Sequence, residues 1–289
     1  MVADGVLVGV TAIWGASFVV VQDALRLADP FTFLVLRFTL AAAVLTAFDW
    51  RGLLHRRILV AGAALGTLLF VGFITQTAGL QFTTPSRSGF LTGLSVLLVP
   101  FVGLLIFRKW PSPPVLLGVA LAVVGLWFLT GGMSGGGGTT AKGDLLTIAC
   151  AVAFAFYIVL LEPAARVHAS TPLVAAQLWM VALLALVALP FVPRSLNPTP
   201  AFWWAVLYTG LLSTALCMFG QTWAQARTSA VRAALIFALE PVFAAAFSVA
   251  VGRERLGSRE LTGGTLIVLG IIAAELGGAL WARRRAVTP

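Results

Sequence analysis

Ionisable side chains are scarce in the apolar stretches of this chain, so the few that occur there are the first candidates for chemistry. Glu240 stands beside Pro241 in the run Phe237-Ala-Leu-Glu-Pro-Val-Phe-Ala-Ala-Ala246. Arg37 interrupts a second apolar run and Glu275 a third. A charge among apolar side chains is costly unless it finds a partner, a proton or water. Glu240 has three uses open to it: binding an ammonium group, taking a proton, or fastening a helix junction. Arg37 can pair with an acid or hold backbone carbonyls. Glu275 lies close enough to the end of its run to reach an interface or to pair.

Helical spacing sorts the uncharged candidates. Thr11, Trp14 and Phe18 share one face, with Ser17 beside it. Phe73, Gln76 and Thr77 share another, as do Thr147, Cys150, Phe154 and Tyr157. Ser213, Cys217 and Gln221 form a stripe at four-residue steps, and Gln177, Trp179 and Met180 cluster in a further run. Amides do not face lipid cheaply, so these faces are expected to point inward. Hydrogen bonding between packed helices uses the same residue types. The convergence of Gln76, Tyr157 and Gln221 at similar depth favours a cavity, lined also by Trp14, Ser17, Phe73, Thr77, Phe154, Trp179 and Glu240. Such a mixture of rings and amides suits an aromatic or aliphatic amino acid. Pro100 and Pro241 each remove a backbone hydrogen bond, from Val96 and Phe237 respectively, and are read as a hinge pair or as packing kinks. An enzyme would need a nucleophile, base or metal set. Both histidines, His55 and His168, fall between apolar runs, and no His-Glu-x-x-His occurs. Cys150 and Cys217 are not spaced as a disulfide or metal framework. The expectation is a non-catalytic protein with no cofactor and no metal.

The elements that must position these residues follow from composition. The chain has 289 residues, 60% hydrophobic and 10% charged. A soluble domain carries about 25% charged residues. Together with a mean hydropathy of +1.01 this indicates an all-α integral membrane protein. The net charge of +9 sits in arginines between apolar runs, which reads as a topology signal and excludes nucleic acid as a partner. Spans of about 20 apolar residues fall near 4–23, 30–49, 58–80, 86–107, 112–130, 144–162, 171–191, 201–223, 228–251 and 259–282, ten in all. The first is expected to be a retained helix rather than a cleaved leader. With both termini cytoplasmic, the inner side receives Arg51, Arg56, Arg57, Arg108, Lys109, Arg166, Arg227, Arg232, Arg283, Arg284 and Arg285, which is 11. The outer side receives Arg26, Arg87, Lys142, Arg194, Arg253, Arg255 and Arg259, which is 7. The expected location is the cell (inner) membrane. Trp50, Trp110, Trp203, Trp204 and Trp281 near span ends read as interfacial anchors. The expected partners are a small-molecule substrate and the lipid bilayer; a monomer is compatible with the sequence, which sets no oligomeric state.

The glycine-rich stretch Gly131-Gly-Met-Ser-Gly-Gly-Gly-Gly-Thr-Thr140 divides the chain into residues 1–130, a linker 131–143, and residues 144–289. The halves repeat. A shift of 141 positions lays Gly79 on Gly220, Ser88 on Ser229, Leu94 on Leu235, Leu98 on Leu239 and Pro100 on Pro241. A shift of 145 lays Leu116 on Leu261, Gly118 on Gly263 and Gly125 on Gly270. Five spans per half is an odd number, so the halves would run in opposite directions, as in transporters with a midplane site. The segments "WGASFVV" at 14–20, "LVPFVGLLIFRKWPSPPVLLGVALAVVGLWFL" at 98–129 and "LEPVFAAAFSVAVGRERLGSRELTGGTLIVLGIIAAEL" at 239–276 resemble the EamA repeats of the drug/metabolite transporter superfamily. Within it the aromatic pattern is similar to the YddG-type amino-acid exporters. The resemblance implies ten helices in two inverted five-helix halves and export of small metabolites. One departure is the first half's turn, "FRKWPSPP", which lacks a counterpart of Glu254. The function expected is amino-acid export by alternating access, with export of other small amphipathic compounds, or an intramembrane enzyme, as the alternatives.

Overall fold

The computed structural model describes residues 2–82, 88, 91–108, 110–130, 141–250 and 257–287. They form twelve α-helical segments: α1 Val2–Ala24, α2 Pro30–Phe48, α3 Arg56–Gly79, α4 Ser95–Phe107, α5 Pro113–Thr130, α6 Ala141–Val167, α7 Ser170–Ala188, α8 Pro200–Tyr208, α9 Cys217–Gln225, α10 Ala230–Phe237, α11 Glu240–Ala250 and α12 Ser258–Val287. Among the described residues the only β pairing is one isolated bridge, Ala28 to Leu196. Among the described residues six helices are long and apolar enough to cross a bilayer: Val2–Ala24, Pro30–Phe48, Arg56–Gly79, Ala141–Val167, Ser170–Phe191 and Pro200–Gln225. Leu91–Phe107 and Pro113–Phe128 are shorter apolar helices. The core of the linker, 131–140, lies outside the described residues, as do Arg87, Lys109, Arg253, Glu254 and Arg255.

Helix starts are set locally. Asp29 caps α2: its Oδ1 accepts from the Thr32 N–H at 2.9 Å and its Oδ2 from the Thr32 hydroxyl at 2.6 Å, with Pro30 in the first turn. Thr199 and Ser229 cap α8 and α10 in the same way. Tryptophans mark the ends: Trp50, Trp110 and Trp204 are exposed at the termini of α2, α5 and α8.

Two expectations need correction. The apolar run 228–251 is not one helix. It breaks at Ala238–Leu239, where Leu239 N–H bonds back only to Ile236 O at 3.0 Å, and regular α-helical bonding resumes with Phe243 N–H to Leu239 O at 2.9 Å. Pro241 has no N–H to give Phe237 O, so the break falls just before it, and the proline stands in the first turn of α11. Pro100, by contrast, lies inside α4. The expected linker also ends early, since α6 already begins at Ala141.

Packing is close, with neighbouring helices in both senses. α5 packs on α12, α2 on α7, α3 on α6 and α7, and α1 on α9, α10 and α11. Glycines permit the closest approaches. A Cβ on Gly118 would lie 2.5 Å from Gly270 O, and one on Gly125 would lie 2.6 Å from Gly263 O. Such approach of backbones replaces hydrophobic drive where lipid is as apolar as the protein. Outside this core, large apolar side chains such as Phe101, Leu105, Leu183 and Leu186 are exposed around the perimeter, where lipid would meet them.

Candidate functional site

The site is built around the middle of α1. Trp14 donates its indole N–H to Ser213 O at 2.8 Å, and its ring leans on Phe237 with centroids 5.4 Å apart. Ser17, one turn on, accepts from the Ser213 hydroxyl at 3.2 Å. Gly15, between them, touches the start of α11: a Cβ there would lie 2.8 Å from both Glu240 O and Ala244 N. Gly15 therefore lets α1 lie directly against the backbone that carries Glu240.

Ser213 belongs to Thr209–Leu216, which winds as a π-helix between α8 and α9. Wide turns of this kind are frequent at functional sites. The segment receives Arg37 from α2. Arg37 Nε donates to Thr214 Oγ1 at 2.6 Å and Nη2 to Ser213 Oγ at 3.2 Å. The guanidinium carbon lies 5.4 Å from the centroids of both Phe38 and Phe73, within cation–π range. Phe73 continues the aromatic wall to Phe154 at 5.3 Å. Arg37 is buried, and neither it nor Glu240 takes part in an ion pair among the described residues. The possible Arg37–Glu240 pair is thus not formed; hydroxyls and rings surround the arginine instead.

Two polar layers flank this centre. Toward the end of α3, Gln76 Nε2 donates to Thr92 Oγ1 at 3.4 Å, and Thr92 lies 4.0 Å from the buried Cys150 sulfur. Thr77 is buried nearby on α3. On the other side, the Tyr157 hydroxyl donates to Gln177 Oε1 at 2.9 Å, Gln221 Nε2 to Gln225 Oε1 at 2.9 Å, and Gln225 Nε2 to Ile158 O at 2.9 Å. In this second layer Gln177 Nε2, Gln221 Oε1 and Thr222 Oγ1 are buried without a hydrogen-bond partner among the described residues. Orphaned polar atoms in an apolar surround are costly, and they concentrate here.

Beyond the second layer, near the start of α1, two polar contacts cross between helices. Arg232 of α10 meets Asp4 of α1 at 3.0 Å, and Glu162 of α6 accepts from the Ala230 N–H at 2.7 Å. The far face instead carries a cavity of about 180 Å3 lined by Gln22, Leu25, Arg26, Leu80 and Gln81.

Of the residues singled out from sequence, Trp14, Ser17, Phe73, Phe154 and Glu240 meet around the centre, Gln76 and Thr77 lie to one side, and Tyr157 and Gln221 to the other. Trp179 is not brought in. Its indole N–H donates to Thr46 Oγ1 at 2.9 Å, and its ring lines an apolar perimeter groove of about 350 Å3 with Leu53, Leu59, Ala63, Ala176, Met180 and Leu183. Thr92, Thr214, Gln225 and the Asp4–Arg232 pair were missed. Only Gln225 had a signal, since it extends the stripe 213, 217, 221 by one more step of four.

The profile of the EamA-like transporter family matches residues 1–131 and 141–275. A protein described as an uncharacterized transporter of Archaeoglobus fulgidus is 32% identical over 278 residues, covering 95% of this chain and 86% of that protein. A second uncharacterized transporter of the same organism is 26% identical over 278 residues, covering 90% and 92%. One solved crystal structure has a TM-score of 0.79 at 24% identity, covering 96% of this chain and 97% of that one, which speaks to the fold.

Proposed function

The chain belongs to the EamA-like transporter family, and on that premise we propose that it exports small metabolites, foremost amino acids with aromatic or hydrophobic side chains, by alternating access. The observation that carries this reading is the centre itself. Two side chains of opposite charge stand near the Trp14–Ser17 turn without an ion pair to each other: Glu240 opens α11, which packs on that turn, and Arg37 bonds Ser213, the residue that Trp14 and Ser17 also bond, beside the rings of Phe73 and Phe154. An ammonium group, an aromatic or aliphatic side chain and a carboxylate fit those surroundings together. The resemblance to YddG-type exporters points to the same class.

Ten spans in two inverted repeats supply the machinery in this reading. Contacts between the halves support it. If Gly118 corresponds to Gly263 and Gly125 to Gly270, the contacts Gly118–Gly270 and Gly125–Gly263 exchange under a two-fold rotation. With the 141-residue shift, the contact Gly79–Thr147 likewise exchanges with Gly220–Val6. The two separate stretches matched by one family profile point the same way. Both termini are then cytoplasmic, in a cell inner membrane. The Asp4–Arg232 and Glu162–Ala230 contacts close the cytoplasmic side, and the site communicates with the far face.

The test is uptake into liposomes carrying the purified protein, with a panel of amino acids and of uncharged amphipathic compounds, each read with and without a pH gradient. Saturable movement of aromatic or branched amino acids supports the reading. Movement of only non-amino-acid compounds would replace it with export of other amphipathic metabolites.

A further inference from the structure

We infer that Arg37 holds the carboxylate of the transported molecule through the outer edge of its guanidinium; this rests on the amino-acid reading above. The guanidinium offers two forks of parallel N–H groups. The fork formed by Nε and Nη2 is occupied, by Thr214 Oγ1 at 2.6 Å and Ser213 Oγ at 3.2 Å. The end-on fork formed by Nη1 and the second N–H of Nη2 has no partner among the described residues. A carboxylate fits such a fork through two hydrogen bonds.

The surroundings demand an anion and do not supply one. Arg37 is 6% exposed, near the middle of α2, and its neighbours are hydroxyls and two phenyl rings. Hydroxyls and rings orient the cation and soften its desolvation, but they do not neutralise it. The held fork fixes the plane of the group, so the free fork keeps one direction. The π-helical segment gives this hold its form, since consecutive residues, Ser213 and Thr214, both reach the same guanidinium. Phe73 lies against the arginine and also against Phe154, so the aromatic wall runs away from the charge. A bound molecule would lay its apolar side chain along that wall with its carboxylate on Arg37, leaving Glu240 for its ammonium. Arg37 then selects against amines and amides that lack the carboxylate, a choice Glu240 alone would not make.

The test uses the full-length protein in liposomes with three probes of one size: L-phenylalanine, L-phenylalaninamide and 3-phenylpropionate. In the wild type, the amide should compete for transport at least about 30-fold more weakly than the acid, the scale of leaving a buried charge unpaired. In Arg37→Gln the preference for acid over amide should fall to within about 3-fold, while 3-phenylpropionate remains a poor competitor. Arg37→Lys keeps the charge but loses the fork, and should give an intermediate ratio. The acid-to-amide ratio cancels any general loss of active protein, so a merely structural arginine would leave it unchanged. Equal competition by acid and amide in the wild type, or an undiminished ratio in Arg37→Gln or Arg37→Lys, overturns the inference while leaving amino-acid export intact. A wild type that moves none of the probes and no other amino acid overturns both.

Discussion

Replacing Gly15 by alanine asks whether the close contact between α1 and α11 is as tight as described. The new Cβ would meet Glu240 O and Ala244 N at 2.8 Å and the Phe243 Cβ at 2.9 Å. Two of these three atoms are backbone, so no side chain can swing away. Normal contact would require α1 and α11 to part by several tenths of an ångström. Gly9, two turns earlier on the same helix, has nothing within 4 Å of its Cβ position. Alanine gains helix propensity at both sites, up to about 1 kcal/mol. That gain cancels when the variants are compared with each other. The difference left is overpacking, about 1–3 kcal/mol. Thermal unfolding of both variants in one detergent at one scan rate should give Gly15→Ala a midpoint roughly 2–10 °C below that of Gly9→Ala. Transport by Gly15→Ala should fall as well, because the displaced backbone carries Glu240. Equal midpoints would refute the packing of α1 on the start of α11, and with it the position given to Glu240.

Glu240→Gln keeps shape and hydrogen bonding while deleting the charge; flux in liposomes should drop at least about tenfold across pH 5 to 8, with a midpoint close to wild type. Pro241→Ala restores the N–H that Phe237 O lacks, so α10 and α11 should tend to join, and single-turnover kinetics should change in rate more than in substrate affinity. Asp4→Asn removes a partly exposed ion pair. It should cost less than about 1 kcal/mol yet raise the reactivity of a cysteine introduced at Val231, measured by maleimide labelling. Trp179→Ala should leave flux near wild type, since the ring faces the perimeter groove rather than the centre.

Hydropathy made the helices legible because a bilayer forces the backbone to satisfy its own hydrogen bonds. The expected 30–49 and 58–80 became Pro30–Phe48 and Arg56–Gly79, shifted by only one or two residues. The details of the site were less legible, because they depend on partners far away in sequence. Nothing in Thr209–Leu216 announces a π-helix; Arg37, 176 residues from Ser213, meets it only after folding. Proline signalled a disturbed backbone at both Pro100 and Pro241, but not that one would stay inside a helix and the other begin a new one. Gln177 and Trp179 were grouped by proximity. Two residues along a helix turn about 200°, which sends Gln177 to the interior and Trp179 outward. Arg37 was seen as a buried charge, yet hydroxyl partners carry no sequence signature comparable to an acid.

The central claim is that one site opens in turn to the two faces, and paired cysteine reactivity tests it most directly. Cys150 and Cys217 are buried, so single cysteines at Gln81, beside the far-face cavity, and at Val231, beside the Asp4–Arg232 contact, report the two faces separately. Adding a transported amino acid to the reconstituted protein should change the two labelling rates in opposite directions, with Val231→Cys gaining reactivity as Gln81→Cys loses it. Rates that rise or fall together, or that ignore a substrate the protein demonstrably moves, would contradict alternating access.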